Sequence, residues 1–168
     1  MPGSGATTDS RHGHDYSNAT STGTAELSTI DMALEVVQLP VSDVDRAKRF
    51  YQSLGWRFDI DLAVSDEFRT VQFTPPHSSC SIQFGRGRTT AEPGSAQGMF
   101  LVVADIDAAR ADLVRRGVEV SDVEVQRPPG LEGDGRSYFA QATFSDPDGN
   151  GWILQEVTSR FPGRAWDE

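Results

Sequence analysis

Residues 41–55 read VSDVDRAKRFYQSLG, and residues 103–117 read VADIDAARADLVRRG. The two segments correspond position by position at an offset of 62. Val41 matches Val103, Asp43 matches Asp105, Val44 matches Ile106, Asp45 matches Asp107, Ala47 matches Ala109, Lys48 matches Arg110 and Gly55 matches Gly117. Each segment has the pattern of one amphipathic helix. In the first, Val44, Ala47, Phe50, Tyr51 and Leu54 fall on a single apolar stripe. Asp43 is placed to accept from the free N–H groups of the first turn, and Gly55 to end the helix with a positive φ. In the second, Asp105 is the cap, Ile106, Ala109 and Leu113 form the stripe, and Gly117 closes it.

Each helix is preceded by a strand-like run, LEVVQLPV (34–41) and GMFLVV (98–103). Each is also followed by three more. The first helix leads into WRFDIDLAV, FRTVQFT and CSIQFG; the second leads into VEVSDVEV, SYFAQATF and GWILQEV. A second echo links these later parts at an offset of 71, where Phe68 matches Phe139, Phe73 matches Phe144, Thr74 matches Ser145 and Pro76 matches Pro147. The larger offset implies a nine-residue insertion in the second copy, and RPPGLEGDG (127–135) has the proline and glycine of a loop. The chain is therefore read as α+β. Two βαβββ units, 33–85 and 98–158, are joined by a linker at 86–97, and their paired strands are expected to form a curved mixed sheet around a cleft.

Composition sets the limits around this duplicated core. Residues 1–31 are rich in Ser, Thr, Gly and Ala without apolar periodicity, and are expected to form a disordered leader. Residues 32–160 make one ordinary domain, and 161–168 a short tail. A formal net charge of −10 argues against a nucleic-acid partner, because phosphate binding needs a basic surface. No apolar run approaches the ~20 residues that span a membrane. The single cysteine, Cys80, excludes an intrachain disulfide framework and fits a cytoplasmic setting.

LPVSDVDRAKRFYQSLGW followed later by FSDPDGNGWILQEV resembles the vicinal oxygen chelate superfamily over residues 33–158. That group includes glyoxalase I, extradiol dioxygenases, methylmalonyl-CoA epimerase, fosfomycin-resistance enzymes and bleomycin-binding proteins. The resemblance implies the paired βαβββ fold and a homodimer. It also implies metal ligands at four strand positions, which fall here on Val36, Ile82, Gly98 and Ile153. None of these side chains binds a metal, so no metal and no other cofactor is expected.

Period-two alternation assigns a cleft face in place of the metal site. It comprises Val36, Gln38, Phe100 and Val102 from the first strand of each unit, with Gly98 beside them leaving space. The last strand of each unit adds Cys80, Ile82, Phe84, Ile153 and Gln155. An apolar pocket with two amides has the character of a small-molecule site. Cys80 has no neighbouring histidine and is read as packing rather than as a nucleophile. The DPDG stretch (146–149) resembles a calcium loop but lacks the further ligands of one. A turn with Gly149 at positive φ is the expectation there. The facing of Arg69 and Tyr138 stays open.

Three functions compete. The first is a metal-free binding protein for a hydrophobic or aromatic small molecule. The second is a glyoxalase-like lyase, isomerase or dioxygenase, for which no base can be named. The third is a dimeric interaction module with a filled core. One expectation concerns the leader alone: a chain that starts at Met32 should fold, and its melting transition in circular dichroism should match that of the full chain. Loss of the cooperative transition would contradict it.

Overall fold

The computed structural model describes residues 29–130 and 135–160. The expected leader and tail, and the tip of the inserted loop at 131–134, lie outside the described residues or nearly so. Contacts divide the chain into Met1–Ala33 and Leu34–Glu168. In the first part, the described residues from Thr29 onward form no helix or strand and are exposed.

The second part follows the duplicated plan. The first unit runs β1 (Val36–Gln38), α1 (Val44–Ser53), β2 (Arg57–Ala63), β3 (Arg69–Thr74) and β4 (Ser81–Arg86). The second runs β5 (Met99–Val103), α2 (Ile106–Arg115), β6 (Glu124–Val125), β7 (Ala140–Ser145) and β8 (Gly151–Glu156). Hydrogen bonding arranges these as two four-stranded mixed sheets, in the orders β1-β4-β3-β2 and β5-β8-β7-β6. In each, the strand before the helix pairs in parallel with the last strand of the unit, and the remaining pairs are antiparallel.

The helix ends follow from the sequence. Asp43 accepts from the Arg46 N–H and Asp105 from the Ala108 N–H, each at 2.9 Å. Gly55 and Gly117 adopt φ of 76° and 87°, left-handed values that let the chain leave the helix at little steric cost. The strand expected at 118–125 is only partly formed. A single bridge joins Val120 to Phe144, and the two-residue β6 follows.

One face of each sheet is sealed by helix packing, where Val71, Phe73, Ile82 and Phe84 of the first unit meet Ala142, Phe144, Trp152 and Leu154 of the second in a single core. Tyr51 of α1 sits at its centre, fully buried. Its ring lies 5.3 Å from Trp56, 5.5 Å from Phe84 and 6.3 Å from Trp152, separations at which aromatic pairs attract beyond simple area burial. Its hydroxyl donates to Asp146 Oδ2 at 2.9 Å and accepts from Trp152 Nε1 at 3.3 Å.

The turn that holds Asp146 is closed by its own side chains. Asp146 Oδ1 accepts from the N–H groups of Asp148 and Asn150. Asn150 donates to Asp146 Oδ2 and to the Pro40 carbonyl, and its Oδ1 accepts from the Ala96 N–H. Gly149 takes φ of 97°, as the turn reading expected. Asp148 reaches back to α1, accepting from Ser42 and from Arg46 at 2.8 Å. The carboxylates of DPDG are thus engaged in joining the two units.

Tyr51→Phe removes the buried hydrogen bond to Asp146 and the acceptor of the Trp152 N–H while keeping the ring. It is expected to lower stability by about 1–3 kcal/mol, read from the urea midpoint at unchanged slope. A loss within error would show that the hydroxyl bond contributes nothing to the junction.

Candidate functional site

The other face of each sheet carries no helix among the described residues and is open at its apolar edges, although Thr70, Thr74 and Ser81 on it are buried. Register defines which side chains occupy it, because directly paired residues point the same way. In the first sheet, Val36 pairs with Ser81 and Gln38 with Gln83. Gln83 in turn pairs with Gln72. The open face therefore carries Val36, Gln38, Thr70, Gln72, Thr74, Ser81 and Gln83.

Strand β2 joins this face through an irregularity. Its register shifts between Phe58 and Ile60, so that Phe58 opposes Phe73, Ile60 opposes Gln72 and Asp59 is left over. A bulge of this kind changes which side chains share a face. Beyond it, Ile60 and Leu62 lie on the open side, and Asp61 lies on the helix side with Lys48 and Arg69. Asp59 turns to the open side and accepts from Gln72 at 3.0 Å and from Thr74.

In the second sheet Phe100 pairs with Ile153, Val102 with Gln155 and Gln141 with Gln155, so Phe100, Val102, Ile153, Gln155 and Gln141 share the open face. Gly98 lies exposed just before β5, with φ of 72°. Gln155 donates to the Tyr138 carbonyl at 2.9 Å. Apolar side chains on the two open faces remain accessible: Ile60 is 41% exposed, Leu62 47%, Phe100 52% and Val102 44%.

Two sequence assignments are corrected here. Ile82 and Phe84 do not share a face with Val36 and Gln38; they point to the helix side and are buried. Period two orders residues within a strand but does not set the register between strands, and the parallel pairing of β1 with β4 places Ser81 and Gln83 on the open side instead. Cys80 lies just before β4 and is half-buried, with its thiol pushed up by burial and by the charge of Glu35. Cys80, Ser81, Ile82 and Phe100 line a cavity of about 250 Å³ together with Val37 and Trp152. Ser81 and Phe100 belong to both the cavity and the open faces, so the two adjoin.

Sequence reasoning missed Asp59, Ile60, Leu62, Gln72 and Gln83. A usable signal was present for two of them. In both β3 and β4 one alternate set is apolar (Val71, Phe73; Ile82, Phe84) and the other polar (Thr70, Gln72, Thr74; Ser81, Gln83). The apolar set is the one that helix packing claims.

Electrostatics on the two sides of β2 differ. Hydrogen bonds from Arg69, then Lys48, hold the Asp61 carboxyl far below the usual carboxylate range against the opposing effect of burial. Arg69 also pairs with Asp45 at 2.9 Å, which settles its facing toward the helix. Burial pushes the Asp59 carboxyl up, but hydrogen bonds from Arg57, Thr74 and Gln72 outweigh it and leave the carboxyl below its ordinary value.

The donor set does not fit a divalent metal. The open-face positions at the parallel pairs are Val36 with Ser81 and Phe100 with Ile153, which bring no imidazole or carboxylate together. Among the described residues no group of three or more His, Cys, Asp or Glu converges. None of the helices among them is long and apolar enough to cross a membrane.

Paired βαβββ units with one helix-sealed face and one open face per sheet define a glyoxalase-like fold. The family model for the Glyoxalase/Bleomycin resistance protein/Dioxygenase superfamily matches residues 33–154, and the chain belongs to that superfamily. Among solved structures, TnmS3, an antibiotic binding protein from Streptomyces sp. CB03234, is 31% identical. The match covers 78% of this chain and 99% of that one, with a TM-score of 0.62. A glyoxalase/bleomycin resistance protein from the same organism is 32% identical over 73% of this chain and 99% of its own, with a TM-score of 0.58. A member of the superfamily from Sphaerobacter thermophilus DSM 20745 is 29% identical over 75% and 98%, with a TM-score of 0.57. No curated protein matches the chain.

The depressed Asp59 carboxyl makes a pH prediction. Its contribution to stability is fully present above the unfolded carboxylate value of about 4 and is lost as pH falls through the lower folded value. The melting temperature should therefore fall in acid less steeply for Asp59→Asn than for the wild-type chain, measured by calorimetry from pH 6 downward. Parallel curves would contradict this.

Proposed function

We propose that this chain binds a hydrophobic or aromatic small molecule on its open sheet faces without a metal. The carrying observation is the half-exposure of Ile60, Leu62, Phe100 and Val102 beside a row of amide side chains, on sheets whose other faces carry the shared core. Apolar side chains grouped this way mark a binding surface, and a few fixed polar groups among them provide orientation. The absence of imidazole and carboxylate donors at the paired strand positions favours binding over metal-assisted turnover. Likeness to an antibiotic binding protein at 31% identity supports a ligand of the same general kind.

A homodimer belongs to the same reading. The adjoining cavity of about 250 Å³ is smaller than the ~300–1,000 Å³ of most ligand sites, and a second copy laid over the open faces would enclose the remainder. The single cysteine supports a cytoplasmic setting for this role.

Native mass spectrometry of protein purified without chelator, combined with melting curves over a panel of flat aromatic antibiotics, tests the proposal. The expected results are a dimer mass without a stoichiometric divalent ion, and a rise in melting temperature with at least one compound. A ligand at a hundred times its Kd stabilises by about 2.7 kcal/mol. A tightly held divalent ion, or a monomer that no compound stabilises, would overturn the reading.

A further inference from the structure

The side-chain amides of the first open face form a relay with only one permitted orientation. Asp59 is its fixed end. A carboxylate only accepts, so Gln72 must present Nε2 to it, at 3.0 Å. Gln72 Oε1 then faces β4 and accepts from Gln83 Nε2 at 2.6 Å. Gln83 Oε1 is left to receive two donors, Gln38 Nε2 and Arg88 Nη2, each at 2.8 Å. A guanidinium only donates, so Arg88 independently demands the same orientation of Gln83.

The relay ends unbalanced. With its nitrogen committed to Gln83, Gln38 has only Oε1 left to pair. That oxygen is buried and has no hydrogen-bond partner among the described residues. Arg88 Nε is likewise buried without an acceptor. One unmet acceptor and one unmet donor thus belong to the two side chains that meet on the same Gln83 oxygen. Buried polar groups are rarely left unpaired, and turning Gln38 over would exchange its bond to Gln83 for a clash of acceptors.

We propose, building on the binding role above, that Gln38 selects ligands carrying a hydroxyl on their aromatic frame. The hydroxyl donates to Gln38 Oε1 and accepts from Arg88 Nε–H. It is the smallest organic group that can do both. An ether at the same place cannot donate and leaves the Gln38 oxygen unpaired, which is the condition under which a polar site discriminates strongly. Arg88 follows β4 and rests over the Phe68 ring at 5.4 Å.

Calorimetric titration of the full chain with 2-naphthol and 9-phenanthrol, and with the methyl ether of each, provides the test. Wild-type protein should bind at least one phenol about tenfold or more tightly than its ether. Gln38→Met should retain the ether affinity and lose the preference. Equal affinity of phenol and ether for the wild type overturns the role of Gln38 while leaving the binding proposal intact. A preference that survives in Gln38→Met overturns it equally. Failure of all four compounds to bind overturns the role of Gln38 as stated, and the binding proposal falls with it only if the antibiotic panel also leaves the melting temperature unmoved. Should Gln38→Met melt early, Arg88→Met replaces it: its preference for the phenol is expected to shrink, and an undiminished one refutes the assignment.

Discussion

The hydroxyl of Tyr51, held between the Asp146 carboxylate and the Trp152 indole, is the contact on which the arrangement of the two units depends. It lies inside the aromatic core, where an unpaired phenol would be costly and where burial and the Asp146 charge push its own ionisation well above the ordinary range. It therefore remains a donor throughout the physiological range. Asp146 is in turn held by Asn150, and Asn150 is tied to Pro40 at the start of the first unit. The result is a closed circuit of hydrogen bonds from α1 to the β7–β8 turn and back. Asp146 uses both of its oxygens within this circuit, and Asp148 joins the same turn to Ser42 and Arg46, so the two carboxylates of that turn hold the fold together.

With the helix side of each sheet claimed by this core, the remaining faces are free to diverge, and they have. The first is polar at its centre, with Gln38, Gln72, Gln83, Thr74 and Asp59 joined in one hydrogen-bonded row. The second presents Phe100, Val102 and Ile153, with Gln155 turned to the Tyr138 carbonyl. A duplicated scaffold thus carries two unlike surfaces. One offers directional hydrogen bonding and the other apolar area.

The sequence exposed the scaffold more fully than the surface. Both helices, their Asp caps and their closing glycines could be read because each depends on neighbours a few residues away. The duplication then located the strands. Phe100, Val102, Ile153 and Gln155 share one face of the second sheet, which one unbroken alternation in β5 and one in β8 suffices to read. The first sheet was harder. Placing Ser81 rather than Ile82 beside Val36 requires the register between two strands separated by a helix and two further strands. Seeing Asp59 on the open face requires a bulge that alternation cannot reveal. Gln72 and Gln83 passed unnoticed because an amide matters here only through the neighbour it meets across the sheet.

The bulge in β2 also has an electrostatic meaning. Asp59 and Asp61 stand two apart, and in a regular strand both would project to the same side as like charges within a few ångströms. Asp59 is itself the surplus residue, and its place outside the pairing shifts the phase of the strand beyond it. Asp61 goes to a cationic pair beneath the sheet, and Asp59 to neutral donors and Arg57 above it. The sheet thereby sorts two anions onto its opposite sides, each with its own counterions. Asp59 is thus at once one of the two acids and the residue that belongs to no pair, so the irregularity that breaks the alternation is also what parts the charges.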